Sequence, residues 1–314
     1  MSTRALLYYQ SPSVVPSLRS TGRVGTNRDA EGSDNEFFGV DPSPTEVEVH
    51  NARRQRFTLD DNGFTLVEHA WRHIDYFDNA AILNTYYTEC EDLVAKHTGA
   101  SRVLAFDHNL RARQRKAQGQ NLEAGGNAIQ EPLITYGVHN DYTLESAPRR
   151  IEQLAQPLKV NDTLRGRTNA PPPLRPDQLE HLLAGRWQFV NVWRNVSADA
   201  PVERHPLALC DAASVAPEDL VTFEIRYADR VGEVQLKTDA RTSMPRYHSV
   251  LIATNVPLLP SLGAELPCSA CSRASMVLFS ADDTRRGGAD QMLGLARRGL
   301  CQSEGCSGHG PGHV

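Results

Sequence analysis

The sequence predicts a mainly β protein with flanking helices, an α+β fold of sandwich or open-barrel type, and three observations carry that reading. Short runs of β-branched and aromatic residues recur along the chain, among them RVLAF (102–106), RWQFVNVWR (186–194), VTFEIRY (221–227) and VGEVQLK (231–237). Strand-like and helix-like stretches alternate irregularly, unlike the regular alternation of a doubly wound parallel sheet. No glycine-rich phosphate loop follows a strand.

Taken in order, residues 1–50 combine an extended start, Ala5 to Tyr9, with a polar stretch rich in Ser, Gly, Asn and Asp, which reads as an arm laid over a domain surface. QRFTLDDNGFTLV (55–67) reads as two short strands joined by an Asp60-Asp61-Asn62-Gly63 hairpin turn, where Asn-Gly supplies positive φ angles. A helix is expected over 79–98. Asp78 or Asn79 caps it, Ile82, Leu83, Tyr86, Cys90, Leu93, Val94 and His97 form one stripe, and Gly99 ends it. RVLAF follows as a buried strand, and the polar, glycine-containing 111–130 as a loop able to cover a cleft.

The stretch EPLITYGVHNDYTLESAPRR (131–150) organises the site. Leu133, Ile134, Tyr136 and Val138 are strand formers, and residues two apart on a strand face the same way, so His139 and Asp141 should point together. One imidazole and one carboxylate converging on a point, with a further ligand from elsewhere, make the facial triad of non-haem Fe(II) oxygenases. The same three-residue pattern also suits a turn histidine beside a turn-capping Asp. A second copy, His73-Ile74-Asp75, leads into a helix start and is not read as a metal site.

Beyond it, Ala147 to Leu158 reads as a short helix bearing Arg149 and Arg150, NAPPPLRP (169–176) as a proline-stiffened connector, and Pro176 or Asp177 as the start of a helix closed by Gly185. RWQFVNVWR is a strand covered on both faces, in which Asn191 needs a hydrogen-bond partner. LALCD (207–211) is expected as a short strand, and 221–237 as a hairpin turning at Ala228-Asp229-Arg230.

Composition narrows the function classes. A chain of 314 residues with a formal charge of -5 shows no nucleic-acid footprint, and the Arg111, Arg113, Arg115, Lys116 cluster reads as a solvated loop. No apolar run reaches the roughly twenty residues of a membrane span, and MSTRALLYYQ lacks the apolar core of a secretory signal, so a cytoplasmic protein is expected. Six cysteines in a chain of this length do not form a disulfide scaffold; Cys90 and Cys210 read as buried reduced thiols.

FTLDDNGF (57–64), TGASRVLAFDHNLR (98–111), VHNDYT (138–143), RWQFVNVWRNV (186–196), PLALCDAASVAPEDLV (206–221) and RYADRVGE (226–233) together resemble the asaB hydroxylase/desaturase family, in the family's order and over about residues 50–240. Its relatives include the cephalosporin 7α-hydroxylase and the gibberellin desaturases. The resemblance implies a distorted double-stranded β-helix of cupin-like jelly-roll type, with Fe(II) and 2-oxoglutarate as cofactor and cosubstrate. It further implies hydroxylation or desaturation of an unactivated C–H bond in a small secondary metabolite. His139, Asp141 and a distal histidine would hold the metal, Tyr142 and Thr143 would stand near it, and Asn191, Trp193 and Arg194 would line the same cavity. Tyr142, Asn191, Arg194 and Arg150 are the implied cosubstrate-binding candidates.

From about Arg241 the resemblance stops. Neither the His-Thr-x-Phe segment of the distal ligand nor an Arg-Glu-Ser segment suited to the cosubstrate carboxylate occurs, and His248 is the histidine left in reach to act as third ligand. The sequence therefore divides into an arm (1–50), an oxygenase-like domain (51–248) and a divergent tail (249–314) expected to be poorly ordered. Two rival readings follow: a barrel that kept its fold as a binding protein, or a zinc module on Cys268, Cys271, Cys301, Cys306, His309 and His313.

Overall fold

WQFVNVWRN forms the middle strand of the main sheet. The computed structural model describes residues 2–14, 24–28, 34–112, 138–158, 162–167, 174–197, 202, 207–215, 219–226, 231–237, 249–254 and 271–279. The strands are β1 (Ser2–Gln10), β2 (Gly25–Arg28), β3 (Asp34–Phe38), β4 (Pro42–His50), β5 (Phe64–Val67), β6 (Arg102–Arg111), β7 (His139–Asn140), β8 (Trp187–Asn195), β9 (Leu220–Arg226), β10 (Val231–Lys237), β11 (Ser249–Thr254) and β12 (Cys271–Phe279). They make a main sheet of order β5-β11-β8-β12-β6, a second sheet β3-β2-β9-β10-β7, and a β1-β4 ribbon.

Both faces of β8 are covered, as its lack of polar alternation requires. Helix α1 (Tyr87–Thr98) packs on one face, where Tyr86, Tyr87, Cys90 and Val94 meet Val103, Ala105, Val190 and Val192. A π turn, Ile82–Tyr86, runs into it, Asp78 caps the helical start at Asn79–Ala81, and Gly99 closes it at φ 70°. Helices α2 (Ser146–Leu154) and α3 (Pro176–Ala184) cover the other face; Ala147, Ile151 and Leu154 meet Leu104, Phe106 and Phe189. β6 carries a bulge: Ser275 pairs with Asp107 but Met276 with Ala105, so Phe106 is the extra residue. Beyond it His108, Leu110 and Ala112 turn to the α1 side.

In the second sheet, Gly25 is where β2 can approach β9. A Cβ there would intrude on the Glu224 carbonyl oxygen and come within 2.6 Å of Phe38 Cζ. The Phe38 ring fills that space, with the Arg226 guanidinium carbon 4.6 Å from its centroid.

Several expectations need correction. Residues 60–63 are not a hairpin turn: Leu59–Asn62 is one helical turn capped by Thr58, and Gly63 ends it at φ 75°. The positive φ is there, but Asn62 bonds the Thr58 N–H and the Asp211 carboxylate, which winds the segment helically. LALCD is irregular, and Asp211 caps a 3-10 turn, Ala212–Ser214. Cys210 is exposed; Cys90 is buried. His97 is exposed as well.

Residues 2–50 are more than an arm, because β2 and β3 join the second sheet. The tail reading is corrected in part: β11 pairs in parallel with β5 and β8, and β12 lies antiparallel between β8 and β6. Cys271 begins β12, while Cys268, Cys301, Cys306, His309 and His313 fall outside the described residues. Among the described residues no helix is long and apolar enough to cross a membrane.

Candidate metal centre

The stretch from residue 138 links the two sheets: β7 pairs with β10 of one, and Asp141 just beyond it bonds Asn191 on β8 of the other. His139 lies on the short edge strand β7, its Cα opposite Leu236 of β10. The chain then leaves the sheet and starts α2 within a few residues. Thr143 fixes that start: its Oγ1 accepts from the Ser146 N–H at 2.9 Å and the Glu145 N–H at 3.2 Å, while Ser146 Oγ accepts from the Thr143 N–H at 2.8 Å. Asp141 is therefore held between a paired strand and a capped helix.

His139 Nε2 stands 3.7 Å from Asp141 Oδ1, with the two side chains 35% and 20% exposed. The other Asp141 oxygen, Oδ2, accepts a 2.7 Å hydrogen bond from Asn191 Nδ2. Donor atoms bound to one divalent first-row ion at about 2.1 Å each lie no more than about 4.2 Å apart, so this separation allows both groups to share an ion. The donor set is one imidazole and one carboxylate, reachable from solvent, which fits Fe(II). Among the described residues no group of three or more His, Cys, Asp or Glu side chains converges, so no third such ligand accompanies this pair there. His248, the candidate third ligand, falls outside the described residues.

Asn191 shares its face of β8 with Phe189, and an aromatic wall grows from that position. Tyr142 stacks on Phe189, ring centroids 4.4 Å apart and planes 16° from parallel. Phe106 and Trp187 meet Phe189 edge-on at 5.6 and 5.9 Å. Arg150 extends along α2, its guanidinium carbon 5.0 Å from the Phe106 centroid and its Nη1 donating to Gln153 Oε1 at 3.2 Å. Asp141, Tyr142, Asn191 and Arg150 are thus linked through one continuous set of contacts.

Arg194 is not part of that set. It lies on the opposite face of β8, where its guanidinium carbon sits 4.3 Å from the Trp71 centroid and 5.5 Å from that of Tyr76. Burial pushes the Tyr76 phenol up to about 12, with Arg194 pulling the other way. The alternation along RWQFVNVWR separates 191 from 194 by three residues, which on a strand is the other side. Trp193 is buried against Val202 and Leu207. Sequence reasoning passed over Phe106 and Phe189; the same alternation that singled out Asn191 places Phe189 beside it.

A family model described as an oxidoreductase/YMDC permease-like domain matches residues 7–170 and 173–249. An uncharacterized protein in the dcmA 3′ region of Methylophilus leisingeri is 36% identical over 193 residues, 60% of this chain and 88% of that protein. The alpha-ketoglutarate-dependent dioxygenase phiK of a fungal species is 28% identical over 197 residues, 60% of this chain and 62% of that one. The hydroxylase/desaturase efuI of Hormonema carpetanum is 30% identical over 188 residues, 59% and 55%. The chain thus spans 88% of the bacterial relative but only 62% and 55% of these two fungal ones. Among solved structures, the iron and alpha-ketoglutarate-dependent endoperoxidase NvfI superposes with a TM-score of 0.62 at 20% identity, covering 89% of this chain and 98% of that one; the two share a fold.

Proposed function

The chain belongs to the oxidoreductase/YMDC permease-like family, and we propose that it is an Fe(II)- and 2-oxoglutarate-dependent oxygenase. It hydroxylates or desaturates an unactivated C–H bond of a small secondary metabolite. This reading takes the two five-stranded sheets as the halves of a distorted double-stranded β-helix of cupin-like type, with the metal pair where β7 of one comes against β8 of the other. The observation that carries the proposal is the convergence of His139 Nε2 and Asp141 Oδ1 at 3.7 Å, with the second Asp141 oxygen already held by β8. The dioxygenase and hydroxylase/desaturase names of the fungal relatives support the chemistry.

Bound iron and 2-oxoglutarate supply the oxidising power for cleaving an unactivated C–H bond with dioxygen. The chain's own part is to hold, orient and dry the site. His139 and Asp141 hold the ion from the junction of the sheets. Tyr142 stacks on Phe189 with Phe106 edge-on behind it, both phenylalanines buried in the core, so the carboxylate is backed by a packed aromatic wall that keeps water from that side, and the half-buried Tyr142 is the ring of the three placed to meet an apolar substrate skeleton. Arg150, with its guanidinium over Phe106, places a positive charge at the edge of that wall, suited to a carboxylate of the cosubstrate or substrate.

The test is succinate formation from 2-oxoglutarate by the Fe(II)-loaded protein. The wild type forms succinate and His139→Ala does not. A wild type that forms none with Fe(II) present, or a His139→Ala protein that matches it, overturns the proposal.

A further inference from the structure

Asn191 occupies a position that packing alone disfavours. It is interior to β8, its backbone held on both sides by pairing with Leu251 of β11 and Ser275 of β12. Its neighbours on the same face are Phe189 and Trp193, both buried. Asn191 is itself half-buried, and an amide withdrawn from water there is costly unless it is hydrogen-bonded. The bond it makes, 2.7 Å to a carboxylate oxygen, is at the short end for N–H···O and runs between segments 50 residues apart.

Asp141 is carried on the less regular of those two segments. It sits between a two-residue strand and a helix start; Thr143 anchors the backbone there, whereas the rotation of the carboxylate is set by what its oxygens meet. We infer that Asn191 is a positioning residue: by holding Oδ2 it turns Oδ1 toward His139 and makes Asp141 a one-oxygen ligand to the metal. This rests on the metal-site reading given above. A carboxylate bound through one oxygen leaves more positions on the ion for exogenous ligands than one bound through both. In the sheet-anchored amide, the chain has a rigid support for a ligand carried on a connecting segment. Hydrogen-bond partners of metal ligands commonly contribute 10–100-fold in affinity, and a loss of that order is expected here.

The test measures Co(II) binding to the metal-free full chain by calorimetry, for wild type, Asn191→Leu, Asp141→Ala and the double variant, with each apoprotein's melting temperature alongside. Leucine keeps the branched shape of asparagine and removes the donor; Asn191→Ala is run in parallel so that a folding failure of one variant leaves the other. The expected result is a 10–100-fold weaker affinity for Asn191→Leu, and no more than about a two-fold further loss when Asp141 is already alanine. A merely structural role would weaken binding by the same factor in both backgrounds, and that outcome overturns the assignment. So does an Asn191→Leu affinity equal to wild type. A wild type that binds no Co(II) overturns the metal-site reading together with this one, which separates the two failures.

Discussion

Removing Glu91 should cost far more stability than removing the arginine it holds. Glu91 of α1 accepts from Arg167 Nη1 at 2.9 Å and Nη2 at 2.7 Å, and its Oε1 also takes the Ala105 N–H of β6 at 2.7 Å. The Arg167 side chain is 0% exposed and the Glu91 side chain 12%. In Glu91→Leu the guanidinium stays enclosed, beside the Ala105 carbonyl at 3.4 Å and the Tyr87 ring at 5.2 Å. An uncompensated buried charge costs about 3–5 kcal/mol. In Arg167→Met the carboxylate keeps the Ala105 N–H and some water, and the loss is about 1–3 kcal/mol. The double variant should be more stable than Glu91→Leu alone, since the stranded charge is gone. Urea denaturation followed by circular dichroism reads the order from the midpoints, provided the slopes agree. Equal costs for the two single variants, or a Glu91→Leu loss below about 1 kcal/mol, would refute the argument.

Arg194→Met should lower stability by up to about 2 kcal/mol through loss of its stacking on Trp71 and Tyr76, while 2-oxoglutarate affinity, measured by calorimetry on the Fe(II)-loaded protein without oxygen, stays within about two-fold of wild type. A larger loss of affinity would return Arg194 to the cosubstrate site. Gly25→Ala should destabilise by about 1–3 kcal/mol, because the new methyl meets the Glu224 carbonyl across the β2-β9 pairing; an unchanged melting temperature would count against that close approach. His108 is enclosed beside Tyr87, with its Nδ1 2.9 Å from the phenol oxygen, and burial lowers its pKa below the usual 6.5 while Asp107 opposes the shift. The native state therefore binds fewer protons than the unfolded chain once pH drops below about 6.5, so stability falls as pH falls through the lowered value. His108→Gln should flatten the stability profile between about pH 7 and 5, and an equally steep acid limb in that variant would contradict the assignment.

How far the sequence could be read depended on whether a signal was local. The apolar stripe over 79–98 with its Asp78 cap and Gly99 stop, the covered β8 strand and the β9-β10 pairing were all legible, because periodicity and capping chemistry are properties of neighbouring residues, while the expected turn at 228–230 lies outside the described residues. The need of Asn191 for a partner was legible too, though its partner Asp141 lies 50 positions away. What failed depended on distant contacts. Asn62 bonds Asp211 across 149 residues, which turns an apparent hairpin into a helical turn and LALCD into a capped 3-10 segment. Likewise β12 falls in the divergent tail expected to be poorly ordered, yet it is an interior strand of the main sheet because β6 and β8 flank it. Arg194 was misplaced by attending to motif membership rather than to strand parity.

Whether His139 and Asp141 grip ferrous iron is most directly read by anaerobic titration of the full-length protein with Fe(II) and 2-oxoglutarate. The account predicts a weak visible charge-transfer band from the iron-oxoacid chelate in the wild type, and its loss in both His139→Ala and Asp141→Ala. A band of undiminished intensity in those two variants would place the iron elsewhere and contradict the account.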